Sequence, residues 1–395
     1  MKDRELVFLA AKRTAFGAFG GSLKDVNPSD MGASASKAAL TQAGVDAKAI
    51  EHVIVGNVIQ STADAIYLPR HIGLKAGVPN EVPALGVNRL CGSGFQAIVD
   101  AQHQMLAGDT NVALVGGVES MSLAPYVIRS ARWGMRMGTG PLEDSLLAGL
   151  TDSYCGCPMG ITAENLGAKY GITRDQADEW ALISQQRTKA AQDKGAFKDE
   201  IAPYEIKDKK GNVTAFAQDE HPKPETTVES LKKLKPVFKD NGMVTAGNAS
   251  GITDGAGMLV VATAAYAKSK NLRPLGRLVS WGIAGVDPSI MGIGPAPASR
   301  QALKRAGMSM AQMDLVEVNE AFTAQFLAVE KELELDRNRT NVDGGATAIG
   351  HPLAASGARI TSHLLYALKA RGKKYGLGTA CIGGGQGIAV IVEAF

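Results

Sequence analysis

Cysteine is scarce in this chain, with 4 among 395 residues. Two of them, Cys155 and Cys157, flank a single glycine, so no disulfide framework of the secreted type can be built. Free thiols and a reducing compartment follow. The Cys155-Gly156-Cys157 triplet has no second Cys-x-x-Cys or His spacing to complete a metal site, so zinc is not expected. Excess charge is also lacking: 42 Lys and Arg against 39 Asp and Glu leave +3, too little for nucleic-acid binding to be the main business. Long apolar runs are missing as well. Leu6 to Ala11, behind the charged Lys2 to Glu5, is too short for a signal-peptide core, and Ala256 to Ala267 is broken by Gly257 and Thr263. The sequence therefore predicts neither secretion nor a membrane span, and points to a bacterial cytoplasm or an organelle matrix. Aromatics are few, at 5%.

Glycine is plentiful by contrast, with 46 residues against the usual ~7%. Close backbone packing and tight turns are expected, and the length suits two to three domains. An internal echo organises them. Residues 43–45, 50–55 and 93–94 resemble residues 306–308, 313–318 and 356–357, with the same shift each time. This predicts a duplication, each half running strand, helix and strand around a glycine-rich loop. Ile98, Ala101 and Met105 form one helix face, and Ile360, Leu364, Leu365 and Leu368 form its counterpart. Residues 122–245 have no partner in the echo and read as an insertion. It holds a helix opened by a capping box at Thr173 to Gln176, then a polar stretch with Lys207, Lys209, Lys210, Lys223, Lys232, Lys233 and Lys235. That stretch reads as solvated surface or as a local cationic rim for a phosphorylated ligand. The predicted domains are 1–121 with 246–270, then 122–245, then 271–395.

The chemistry-bearing residues sit where the backbone is stripped of side chains. Cys91 precedes Gly92-Ser93-Gly94 and a helix start, where unpaired N–H groups favour thiolate and nucleophilic attack. His351, in Gly350-His351-Pro352, lies in the equivalent loop of the second half and suits a general base. Cys381 precedes Gly383-Gly384-Gly385, a turn able to present oxyanion donors, and a thiol titrating near neutrality there could shuttle protons. Asn319, in Asn319-Glu320-Ala321-Phe322, could hold a water or a carbonyl without adding charge. Asp343 in its glycine turn reads as a cap.

Together these segments resemble the thiolase family. The resemblance rests on Asn88 to Gly94, Gly117 to Ser122, Met159 to Asn165, Gly247 to Gly251, Met291 to Pro297, Asn319 to Phe322, Gly350 to Pro352 and Cys381 to Gly387, in family order over nearly the whole chain. It implies an α/β thiolase fold, two duplicated halves in a five-layered α-β-α-β-α arrangement with an inserted loop domain over coenzyme A. The implied reaction is CoA-dependent cleavage of 3-ketoacyl-CoA, or the reverse Claisen condensation, through an acyl-cysteine. Cys91 would be the nucleophile, His351 its base and Cys381 the proton shuttle. His351 with an Asn319-held water would form one oxyanion hole, and the N–H groups of Cys91 and Gly383 the other. Ser250 would meet pantetheine, Met159 and Met291 would flank the acyl region, Ala321 and Phe322 would join the substrate- and CoA-binding residues, and Lys223 would approach the adenine-phosphate end. No cofactor would be permanently bound, since CoA and acyl-CoA are substrates, and a homodimer or homotetramer is implied. Pro158, where thiolases restricted to acetoacetyl-CoA often carry histidine, favours the broad-chain degradative type of fatty-acid β-oxidation. The alternatives are a biosynthetic enzyme confined to four carbons and a non-catalytic acyl-CoA-binding subunit.

Overall fold

In the computed structural model, which describes residues 2–138, 140–207 and 210–395, alternate residues of the first strand enter different cores. Leu6 and Phe8 of Leu6–Arg13 (β1) face one, while Val7 and Leu9 face another. That period of two is what a strand buried on both faces requires. Each fully buried Leu, Ile or Phe contributes roughly 1.5–3 kcal/mol. Lys209 of the lysine-rich stretch lies outside the described residues.

The longer remaining strands of the first half are His52–Gly56 (β2), Ala84–Val87 (β3), Val112–Glu119 (β4) and Thr253–Thr263 (β5). Those of the second are Gly276–Gly285 (β6), Leu315–Val318 (β7), Tyr375–Ile382 (β8) and Gln386–Ala394 (β9). They hydrogen-bond in the order β7-β8-β9-β6-β1-β5-β4-β2-β3. The second half repeats the first: β2 lies parallel to β4 and β7 to β8, and Thr340 bridges Val316 in parallel, as Ala84 of β3 pairs with Val53. The duplication expected from the echo is present. What the echo did not foretell is that the halves join edge to edge, through Val7 opposite Arg277 and Phe8 opposite Gly276.

Helices complete five layers. Pro28–Ala43 (α1) covers the outer face of the first half, started by Asn27, whose side chain accepts from the Ser29 N–H, and stopped by left-handed Gly44. Ser93–Ala107 (α2) is central. Met159–Tyr170 (α3) and Arg174–Asp193 (α4) belong to the inserted segment, and Pro295–Ala306 (α5) with Thr323–Leu333 (α6) covers the outer face of the second half. Ala355–Ala370 (α7) lies beside α2 in the centre, its Ile360, Leu364 and Leu368 sharing one core with Ile98, Ala101 and Met105. The two central helices meet at their first turns, where only glycine fits. A Cβ on Gly357 would lie 2.3 Å from the Phe95 nitrogen, and one on Gly94 would lie 2.6 Å from the Ala354 oxygen. This contact brings the Cys91 loop and the His351 loop together.

The inserted segment is fastened to both halves. The Thr173 capping box forms as expected. Trp180 of α4 stacks on Phe326 with centroids 3.9 Å apart, and its Nε1 and the Ser184 hydroxyl donate to Glu320 at 2.9 and 2.8 Å. From the same segment Glu200 and Asp219 accept from the buried Arg13 guanidinium of β1.

Candidate active site

Cys91 sits on a turn held by its neighbours. Leu90 adopts a left-handed φ of 47°, a conformation that costs on the order of 1 kcal/mol for a residue with a Cβ. Asn88 Oδ1 accepts from the Leu90 N–H at 3.0 Å, and the Ser93 hydroxyl accepts from Arg89 N–H at 2.9 Å while donating to Leu90 O at 2.7 Å. These bonds hold the strained residue and present the sulfur at the foot of α2. The Gly383 N–H, on the turn between β8 and β9, donates to that sulfur. Left-handed Gly384 and Gly385 (φ 78° and 80°) make this turn possible.

His351 is oriented from both sides. Its backbone N–H donates to Gly251 O at 2.9 Å, and its ring Nδ1 lies 2.6 Å from the Ser356 hydroxyl. The Asn319 amide nitrogen, a donor, faces Nε2 at 3.3 Å, so the proton sits on Nδ1 and the Ser356 hydroxyl accepts from it. Nε2 then carries the lone pair. Asn319 is fully buried and its Oδ1 has no partner among the described residues. Glu119, also buried, accepts from the Val58, Ile59 and Ala354 N–H groups, tying the strand beside the Cys91 loop to the loop after His351.

The electrostatics differ from the sequence expectation. Burial, set against the Gly383 N–H, pushes the Cys91 thiol up to about 11, so desolvation of the charged form outweighs the helix start. Burial and the neighbouring Cys91 raise Cys381 well above the ordinary thiol range rather than toward neutrality. Burial, then Arg359, lowers His351 to about 3. At neutral pH the three groups are therefore a thiol, a neutral imidazole and a thiol.

A cavity of about 240 Å³ opens on Cys91, Leu90, Met159, Leu353 and Gly383, with Leu150 to Ser153 on its other wall. Cys381 lies behind it, in an apolar cluster with Met291, Ala321 and Phe322 against which Met159 packs. Ser250 is beside this cluster, its N–H donating to Ala321 O at 3.0 Å. Lys223 is elsewhere, in a second cavity of about 210 Å³ lined also by His221, Ser230, Leu234 and Gly247. Asp343 is no cap: its carboxylate accepts from Arg371 at 2.8 Å and pairs with His363 at 3.2 Å. Sequence reasoning missed Ser356 and Glu119. Their positions, five residues past the histidine and at the end of a buried strand, were the available signals. Among the described residues no group of three His, Cys, Asp or Glu side chains could hold a metal ion.

The thiolase N-terminal domain model matches residues 6–265 and the thiolase C-terminal domain model matches residues 272–394. The chain belongs to the thiolase family. Like the family, it is an acyltransferase. Over 391 residues it is 56% identical to mitochondrial 3-ketoacyl-CoA thiolase of Bos taurus, covering 99% of this chain and 98% of that one. It is 47% identical over 394 residues to an acetyl-CoA acetyltransferase of Rhizobium meliloti, covering all of both. The structure of human mitochondrial 3-ketoacyl-CoA thiolase in complex with CoA superposes with a TM-score of 0.96 at 53% identity, covering 100% of this chain and 99% of that one. The thiolase fold expected from the motifs is the one observed.

Proposed function

We propose that this thiolase cleaves 3-ketoacyl-CoA of varied chain length with CoA, giving acetyl-CoA and a shortened acyl-CoA, and that the reverse Claisen condensation uses the same groups. Because all three groups rest neutral, proton transfer accompanies attack rather than preceding it. His351 Nε2 takes the Cys91 proton as the sulfur adds to the keto carbonyl. The Cα–Cβ bond then breaks, and the departing acetyl-CoA enolate takes its proton from Cys381, leaving an acyl thioester on Cys91. CoA gives its thiol proton to Cys381 and takes the acyl group, and the released Cys91 sulfur recovers its proton from His351. The Gly383 N–H at the sulfur supports this reading most directly, since a donor placed there is near the oxygen that attack creates. The unpartnered Asn319 Oδ1 suits a water that would serve the other oxyanion with His351. Loss of one such donor costs on the order of 10²–10³ in rate.

Met159, Met291, Ala321 and Phe322 would contact the acyl end, Ser250 the pantetheine, and Lys223 the phosphate-bearing end in the second cavity. The mitochondrial relatives support the broad-chain reading and an organelle matrix. The Rhizobium relative keeps the four-carbon biosynthetic reading and a bacterial cytoplasm open as the second choice. No helix among the described residues is long and apolar enough to cross a membrane. Exposed Trp133 and Met137, at 89% and 97%, would be covered by a second copy in a homodimer or homotetramer. The three-part division at 122–245 and 271 remains our reading of the chain.

Acyl-enzyme mass spectrometry with thiolysis tests the roles. Cys91→Ala should show no acylated protein. Cys381→Ala should acylate slowly and turn over at least ~10²-fold more slowly, and normal turnover without Cys381 would refute its role. Thiolysis confined to four-carbon substrate would replace the broad-chain reading by the biosynthetic one.

A further inference from the structure

The mechanism leaves two thiols unused, on a hairpin whose other strand lines the active-site cavity. Thr151–Asp152 and Cys157–Pro158 form a short hairpin, Thr151 opposite Pro158 and Asp152 opposite Cys157. Thr151, Asp152 and Ser153 line the cavity that holds Cys91. The hairpin runs straight into α3, whose first residue, Met159, also lines the cavity and donates its N–H to Leu150 O at 2.9 Å.

Left-handed Gly156 (φ 68°) turns the chain between Cys155 and Cys157, and the two thiols influence each other electrostatically. The Cys157 thiol also lies 3.4 Å from Cys155 O. Both residues are partly exposed. Neighbouring thiols that are partly exposed and linked by a left-handed glycine are candidates for thiol–disulfide exchange.

We propose that Cys155 and Cys157 form a reversible redox site, oxidised by small-molecule disulfides, whose disulfide reshapes the substrate-cavity wall. In the first step one cysteine thiolate attacks a sulfur of RSSR and releases RS⁻, leaving a mixed disulfide. The second cysteine then attacks that bond, forming the Cys155–Cys157 disulfide and releasing the second RS⁻. The two cysteine protons end on two RSH, and the two electrons lost by the cysteines reduce RSSR. The new bond replaces the Cys157 contact with Cys155 O and draws on the strand paired with Asp152, two residues from Met159. The disulfide itself is independent of the proposed reaction; its effect on turnover rests on that reading.

The test equilibrates the full-length protein with reduced and oxidised glutathione in a Cys91→Ser background, which removes the nucleophile from the chemistry. The tryptic peptide Met137 to Lys169 contains both cysteines and no other. On oxidation it should become lighter by two hydrogens and resist alkylation, and dithiothreitol should reverse this. C157S should instead hold glutathione at Cys155. A peptide that stays fully alkylatable in oxidised glutathione overturns the site. For its effect, wild type and the C155S/C157S double variant are oxidised in parallel with substrate protecting Cys91. The KM for 3-ketoacyl-CoA should rise about fivefold in wild type only, with kcat changed less than about twofold. Equal KM in both overturns control of the cavity. A reduced enzyme without thiolysis would instead refute the proposed reaction and leave the mass readout standing.

Discussion

Ser356 shows how one hydroxyl sets the chemistry of a residue it follows. By accepting from Nδ1–H of His351 at 2.6 Å, it favours, together with the Asn319 amide at Nε2, the tautomer that leaves Nε2 basic. It touches no substrate, so it is a positioning residue. Ser356→Ala should lower kcat about ten- to a hundredfold, the range found when orienting partners are removed, while KM stays within about twofold. A merely structural role would show as lost protein stability with kcat per folded molecule unchanged. The residues proposed to carry the reaction, Cys91, His351 and Cys381, stood out in the sequence because each sits in a glycine context that packing alone does not need. Their ionisation was not legible. The sequence shows that Cys91 precedes a helix, but desolvation beside residues from distant segments, Ile59, Met121, Leu146 and Leu353, decides the sign. Ser356 was visible only as a helix opener, because its bond to His351 depends on a backbone turn over Pro352.

Helix α7 carries a second buried histidine with the opposite electrostatics. Burial alone would lower His363, yet Glu200 at 3.0 Å and Asp343 at 3.2 Å, with Glu317 nearby, hold it up at about 10. Arg13 balances Glu200, Arg371 balances Asp343 and Arg359 balances Glu317. The network joins β1, the inserted segment and α7. His363 binds its proton more tightly folded than unfolded, where the pKa is ~6.5. Its contribution is therefore complete below pH ~6.5 and is lost as pH rises to about 10. His363→Gln should cost about 3 kcal/mol near pH 6, because Glu200 and Asp343 lose a buried counter-charge. The difference from wild type should shrink steadily toward pH 10. Urea midpoints at pH 6, 8 and 10 check this, and a gap that does not change with pH would show His363 to be neutral in the folded protein. Nothing in the local sequence of α7 separates this histidine from one on a solvated face, since all its acidic partners come from other elements.

At the scale of the whole molecule, the repeated segments made the two halves and the insertion readable, because equal spacing survives in a linear sequence. The joining of β1 to β6 and the fastening of the insertion were not readable, since they depend on pairings between distant residues. Those pairings decide how the chain unfolds. One hydrogen-bonded path of strands crosses both halves, α2 and α7 share one core, and Trp180 with Glu200 fixes the inserted segment to the second half and to β1. No part can leave without exposing apolar surface or uncompensated buried charge in another, so a chain of this length should still lose structure in a single step, unlike most chains of several domains. In urea, far-UV circular dichroism should report the sheets and helices of both halves. Tryptophan emission should report the buried Trp180 in the insertion and the half-buried Trp281 in β6, where Arg305 lies 4.5 Å from the ring centroid. The two curves should coincide in midpoint and slope. Repeating the experiment with Trp281→Phe isolates the insertion signal, because Trp133 is 89% exposed and changes little on unfolding. If Trp180 emission shifts while the circular dichroism stays native, the segment over the active site is a separable lid, and its fastening through Glu320 and Arg13 is too weak to couple it to the halves.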